Sequence, residues 1–253
     1  MHFTERGSGP LTIVFLHGNL SSSRWWEKVF AFLPTSWRAI APDFRGFGNS
    51  AAPPEVYRIE EMAGDLEALA RDLRLDRFAV VGHSLGGGVG LQYALDHPGK
   101  VWALGLVDPV PANGLHFPEQ VFGLLASMKS GHAAMKEGLK ATAPGAPDND
   151  FFELLVEDAL RSTPQAFLEI PKSTGAFNLS GRLKDLSCPV LCVQGERDDL
   201  IPREDVERMC RSIPNCRLVE LKQVGHSPPI EAPEELARRL IDFFAAAGHS
   251  GNS

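Results

Sequence analysis

Ser84 stands in the run VVGHSLGGGVG, residues 80–90, with Gly82 and Gly86 two positions away on either side. A glycine-rich turn after an apolar run can serve two chemistries. It can cradle a phosphate with backbone N–H groups, or it can hold a nucleophilic serine in a strained turn between strand and helix. A phosphate loop would end in Gly-Lys-Ser/Thr, which is absent here. A dinucleotide fingerprint would follow the first strand, whereas this run follows the third or fourth. The strained turn fits better, because it needs the smallest residues at the two positions that Gly82 and Gly86 occupy. With 24 glycines in the chain, a chance G-x-S-x-G has odds of roughly one in ten. Its placement directly after AVV and before a helical pattern is therefore what carries the reading.

A serine hydroxyl needs a base to remove its proton, and the chain holds eight histidines. His83 lies inside the turn and is read as structural, pointing away from the serine. His97 precedes Pro98 at a helix end, and His249 falls in a polar tail. His226 differs, lying in VGHSPPIEAPEELARRLIDFF (224–244) between the last strand and the last helix. A loop there can reach the carboxyl edge of a sheet, above Ser84. The base in turn needs a carboxylate to fix its tautomer. GERDDLIP (195–202) offers Asp198 and Asp199 just past a strand, and Asp108 ends another strand, VWALGLVD. The order Ser84, Asp198, His226 is the serine–acid–histidine order of one family of folds.

These residues must be positioned by strands and helices that alternate. LTIVFL (11–16), WRAIAP (37–42), FAVVG (78–82), VWALGLV (101–107), PVLCVQG (189–195) and CRLVEL (216–221) read as strands. Helical spacing runs over 25–33, 59–73, 85–95, 203–213 and 233–246. Fully apolar strands alternating with helices predict an α/β fold, a mostly parallel twisted sheet of about seven to eight strands with helices on both faces. Residues 111–180 interrupt the alternation with helical patterns at 117–129 and 151–162. A structureless loop of that length is implausible, so they are expected to form an inserted helical cap on a core of 1–110 and 181–253.

The composition, 43% hydrophobic and 23% charged, is that of a chain with a substantial core. A net charge of −7 spread along the chain offers no basic surface for nucleic acid. No segment resembles a signal peptide or a membrane span, so a cytoplasmic protein with no membrane partner is expected. Cys188, Cys192, Cys210 and Cys216 lack zinc-ligand spacing and are read as reduced thiols, although Cys210 and Cys216 could be near enough to bridge.

Taken in order, LHGN (16–19), DFRGFGNS (43–50), GHSLGG (82–87), GERDDLIP (195–202) and GHSPPIEAPEE (225–235) resemble the α/β-hydrolase superfamily over essentially the whole chain. The resemblance implies a sheet of about eight strands with a cap inserted after the sixth. It selects Asp198 over Asp199, because the family's acid stands four residues before the proline of its G-x-x-D-x-x-x-P loop. It also implies an oxyanion hole built from the backbone N–H groups of Asn19 and Leu85. The alternative for Asn19 is a turn residue that caps the next helix. One departure stands out: family members usually begin with a two-stranded hairpin, and only MHFTERG precedes the strand at 11–16. The first strand is expected to be missing or shortened.

The expected activity is that of a serine hydrolase on a small to medium carboxylic ester or lactone, without metal or cofactor. Ser84 would be the nucleophile, His226 the base and Asp198 the acid. C–C bond hydrolysis, perhydrolase or haloperoxidase chemistry and thioesterase activity use the same triad, and fold does not choose among them. A dehalogenase or epoxide hydrolase would carry Asp in place of Ser84. A non-catalytic ligand-binding protein would have no need of all three residues. Phe117, Phe122, Met128, Phe151 and Phe177 are the candidates for an apolar acyl pocket, although packing onto the core is favoured, by about two to one, for any single one of them.

Overall fold

The computed structural model describes residues 1–52 and 57–249. Seven strands form one sheet: β1 (Phe3–Arg6), β2 (Leu11–Leu16), β3 (Trp37–Pro42), β4 (Phe78–His83), β5 (Val101–Val107), β6 (Val190–Gly195) and β7 (Cys216–Leu221). Their order is β1-β3-β2-β4-β5-β6-β7. Every pairing is parallel except β1 on β3, which is antiparallel. The expected shortening is thus a single four-residue edge strand in place of a hairpin.

Helices cover both faces. On one lie α2 (Ile59–Asp72), α3 (Leu85–Asp96) and α8 (Arg203–Ser212); on the other lie α1 (Glu27–Phe30) and α10 (Pro233–His249). Successive side chains of a strand point to opposite faces, and both faces are buried here. Val14 and Leu16 pack with Met62, Leu66, Val89 and Val206. Ile13 and Phe15 pack with Val29, Phe30, Leu240 and Phe244. That is why the strands read as unbroken apolar runs rather than alternating ones.

Between β5 and β6 stand α4 (Glu119–Met128), α5 (His132–Thr142), α6 (Asp150–Arg161) and α7 (Pro164–Thr174). They share a third apolar cluster, in which Met135, Leu139, Phe152, Leu155 and Phe167 surround Leu20, Trp25 and Ile230. The last three residues belong to the connections that follow β2 and β7 at the carboxyl edge of the sheet, so these helices are seated on that edge. Ile230 lies in the short α9 (Pro228–Glu231).

Cys210 and Cys216 form a disulfide, with Cα atoms 5.4 Å apart, which corrects the expectation of four reduced thiols. The end of α8 and the start of β7 meet across a six-residue separation, inside bridging range. Cys188 and Cys192 are free and buried. Burial pushes the Cys188 thiol up to about 11 and the Cys192 thiol further still, which leaves both unreactive at neutral pH. Among the described residues no helix is long and apolar enough to cross a membrane.

Candidate active site

Ser84 links β4 to α3 with φ 52° and ψ −114°, a conformation that side-chain-bearing residues rarely adopt. The turn closes because its neighbours lack side chains. A Cβ on Gly82 would lie 2.1 Å from the Gly86 carbonyl oxygen, and one on Gly86 would lie 2.4 Å from that of Leu16. Backbone bonds lock the turn: the Ser84 N–H donates to Val107 O at 2.9 Å, and Ser84 O accepts from Gly87 and Val110 at 3.0 and 2.9 Å. Farther along α3, Gly90 lets the helix approach Val80 and Leu104 of the sheet.

The loop after β6 brings in Asp198, and the loop after β7 brings in His226. His226 Nδ1 lies 3.0 Å from Asp198 Oδ2, and both side chains are almost wholly buried. The other carboxylate oxygen, Oδ1, accepts the Leu200 and Ile201 N–H groups at 2.9 and 3.1 Å. Burial opposes ionisation of Asp198, but its bond to His226 and the attraction between them prevail and hold its pKa below the usual carboxylate range. With both Asp198 oxygens engaged as acceptors, His226 Nδ1 carries the proton, and Nε2 is left as a lone-pair acceptor.

Asp108, the alternative acid of the sequence reading, sits in the same cluster. A carboxylate oxygen of each aspartate and a ring nitrogen of His226 lie within 4.8 Å of one another. Asp108 Oδ1 accepts the Gly195 N–H at 2.9 Å. Its other oxygen, Oδ2, is buried without a hydrogen-bond partner, and complete burial, then the nearby Asp198 charge, push its pKa well above the carboxylate range. Of these two adjacent buried carboxyls, Asp198 therefore ionises first and Asp108 keeps its proton to higher pH, because like charges this close oppose each other.

His83 has more to do than the sequence suggested. It borders the cavity described below, and its Nε2–H donates to the His226 carbonyl at 2.7 Å. Burial, followed by the nearby His226, pushes its pKa down to about 3, so it supports the His226 loop as a neutral ring. No spacing signal marked this contact, which spans 143 residues.

Opposite lies the turn after β2. Leu85 is the first residue of α3, so its N–H has no acceptor within the helix. Among the described residues, the Asn19 N–H likewise donates to no protein acceptor, and Asn19 Oδ1 is buried without a partner. Gly18 allows this turn to approach the serine, since a Cβ there would lie 3.2 Å from Ser84 Cβ. Two contacts brace the turn. His17 Nε2 accepts the Phe44 N–H at 2.9 Å, and Asp43 Oδ1 accepts the Ser23 N–H at 2.6 Å.

Asn19, Ser84, Leu85 and His226 open into one cavity of about 210 Å³. Its walls are apolar, from Trp25, Val110, Leu115, Leu125, Leu139 and Ile170 among others, and no Asp, Glu, Lys or Arg lines it among the described residues. Of the five pocket candidates, Phe117 and Met128 line it. The other three do not. On α4 the stripe Val121, Leu124, Leu125, Met128 has the i, i+3, i+4, i+7 spacing of one helix face, and Phe122 falls off it. Phe177 is buried in the core against α3, and Phe151 borders a separate depression with Lys28 Nζ 4.3 Å from its ring centre.

Residues 13–239 match a family model described as "Alpha/beta hydrolase family". The chain is 27% identical over 255 residues to "Putative carbamate hydrolase RutD" of Caulobacter segnis, covering 95% of this chain and 93% of that protein. A solved thermophilic esterase from Thermogutta terrifontis has a TM-score of 0.82 and 25% identity, covering 97% of this chain and 93% of that one. Est816, described as an N-acyl homoserine lactone degrading enzyme, has a TM-score of 0.76 and 27% identity over 96% of each chain.

Proposed function

The chain belongs to the alpha/beta hydrolase family, and from that premise we propose that it hydrolyses uncharged carboxylic esters or lactones with an apolar acyl part, through an acyl-enzyme on Ser84. The observation that carries the reading is the strained serine opening into the same apolar cavity as His226, whose Nδ1 is held by Asp198.

In this mechanism His226 Nε2 takes the Ser84 proton as Oγ attacks the substrate carbonyl. Asp198 holds the ring in the useful tautomer and stabilises the imidazolium. The Leu85 and Asn19 N–H groups receive the oxyanion, and His226 then returns the proton to the leaving alkoxide. A water activated by His226 attacks the ester carbonyl and releases the acid, which restores Ser84. The absence of charged lining residues among those described favours a neutral substrate, because an ion in these walls would lose its hydration without a partner.

Carbamate hydrolysis is a second reading, supported by the similarity to the protein from Caulobacter segnis. A carbamate carbonyl would meet the same groups, but a small polar molecule would leave the apolar walls uncovered. Turnover of p-nitrophenyl butyrate tests the proposal. Ser84→Ala is expected to lower kcat by at least about a thousandfold, with an unchanged circular dichroism spectrum. Turnover that survives this substitution would sink the proposal. A matched series of aryl esters and aryl carbamates separates the two substrate classes.

A further inference from the structure

Glu231 ends α9, five positions after His226. Its Oε2 accepts the Gly225 N–H at 3.1 Å and its Oε1 accepts the Ser227 N–H at 2.9 Å. One carboxylate therefore grips the backbone on both sides of His226. The same Oε2 also accepts the Gly145 N–H at 2.9 Å, from the connection between α5 and α6. The approach is close on each side. A Cβ on Gly145 would lie 2.9 Å from Oε2, and one on Gly225 would lie 3.0 Å from Oε1 and 2.8 Å from Pro144 Cδ.

A second bond runs in parallel, from Ser227 Oγ to the Thr142 carbonyl at the end of α5 at 3.0 Å. Leu139, Ala141 and Thr142 of α5 wall the cavity, and so does Ser227. The helix that encloses the substrate space and the loop that carries His226 are thus fastened to one carboxylate.

Resting on the reading of His226 as the base, we propose that Glu231 is a positioning residue that sets the imidazole and makes its placement depend on how α5 and its following turn are seated. Three N–H donors divided between two oxygens require an acceptor at both ends of the side chain. A glutamine presents an NH₂ group at one end, so at least one backbone donor loses its acceptor and the loop shifts. Base catalysis is steep in geometry, and a displacement of about 1 Å can cost a hundredfold in rate.

The test compares Glu231→Gln with the wild type for kcat and KM on p-nitrophenyl butyrate. It adds the rate of Ser84 labelling by a fluorophosphonate and the low-field His226 Nδ1 proton resonance. The expected result is a fall of roughly ten- to a hundredfold in kcat and labelling rate. KM should stay within about threefold, and the resonance should broaden. A second variant, Gly145→Ala, crowds Glu231 from the α5 side at an exposed position. It should lower kcat by about three- to tenfold with an unchanged melting curve.

A folded Glu231→Gln protein with wild-type kcat and labelling overturns the proposal, as does a change confined to KM. If Glu231→Gln does not fold, Gly145→Ala decides, and wild-type kcat in that variant overturns the coupling. Failure of the wild type itself to label would instead overturn the assignment of Ser84 and His226, on which this inference stands.

Discussion

At Gly82 a single methyl group would collide with a carbonyl oxygen that cannot move without opening the turn around Ser84. Gly82→Ala is therefore expected to cost about 2 kcal/mol or more, the scale of overpacking in a rigid core. That corresponds to a fall of roughly 4–8 °C in melting temperature for a chain of this size. A calorimetric scan indistinguishable from wild type would contradict the account of the turn. Asp108 makes an opposite prediction. Because burial and the Asp198 charge disfavour its ionised form, a neutral amide of the same shape can replace its acid group and still accept the Gly195 N–H. Asp108→Asn should hold kcat within about threefold of wild type at pH 7. A thousandfold loss would show that a negative charge at this position is used.

Among the elements, strands were the easiest to read, since burial on both faces leaves an unbroken apolar run bounded by turn residues. Ser84, Asp198 and His226 stood out for a related reason. Each follows a strand at the carboxyl edge, where loops are short of structural duties and side-chain chemistry shows through. β1, α5 and α7 left weaker traces. β1 is an edge strand of four residues with half its pattern exposed, α5 carries only Met135 and Leu139 as buried apolar residues, and α7 contains Pro171 in its interior.

Contacts between distant loops were invisible, because Glu231 to Gly145 and His83 to His226 have no spacing rule. Phe122, Phe151 and Phe177 were misplaced for a different reason: the sequence shows that a helix is apolar without showing which stripe faces a cavity. The α4 stripe now makes that distinction testable. Leu125→Trp should fill part of the cavity and lower kcat/KM for octanoate esters about tenfold more than for acetate esters, the range that packing contacts give in acyl discrimination. Phe151→Ala, outside the cavity, should leave the chain-length profile unchanged. The reverse pattern in a substrate panel would relocate the acyl site.

Across the whole molecule, two buried histidines tie stability to pH. His83 is pushed down to about 3 and His17 is also lowered, each chiefly by burial. In the unfolded chain both return to about 6.5, so unfolding takes up protons below that pH. Their contribution is complete above about pH 6.5 and is lost as the pH falls toward the folded values, by up to about 1.4 kcal/mol per pH unit for each ring.

Asp43 adds to the loss at lower pH. Burial raises its pKa, but the His17 attraction and the Asn49 and Ser23 N–H bonds outweigh that and hold it low. Its contribution is present above about pH 4 and disappears as the carboxylate is protonated. Buried Asp108, whose pKa is raised, works in the opposite sense and offsets part of this loss, so melting temperature should fall from about pH 6.5 to 4 less steeply than the two rings alone would give. In Asp108→Asn, which removes the opposing group, the fall should be steeper, and a flat profile down to about pH 4.5 in thermal scans of that variant would contradict the neutral burial of the two rings.

Asp43 has one more partner, from the very start of the chain. His2 Nδ1 lies 2.7 Å from Asp43 Oδ2, and the Asp43 N–H donates to His2 O at 2.9 Å. His2 is thus stitched to the aspartate that steadies the turn bearing Asn19. For anyone producing this protein, an affinity tag fused at the amino end, or a protease scar replacing His2, is a change made next to the working parts.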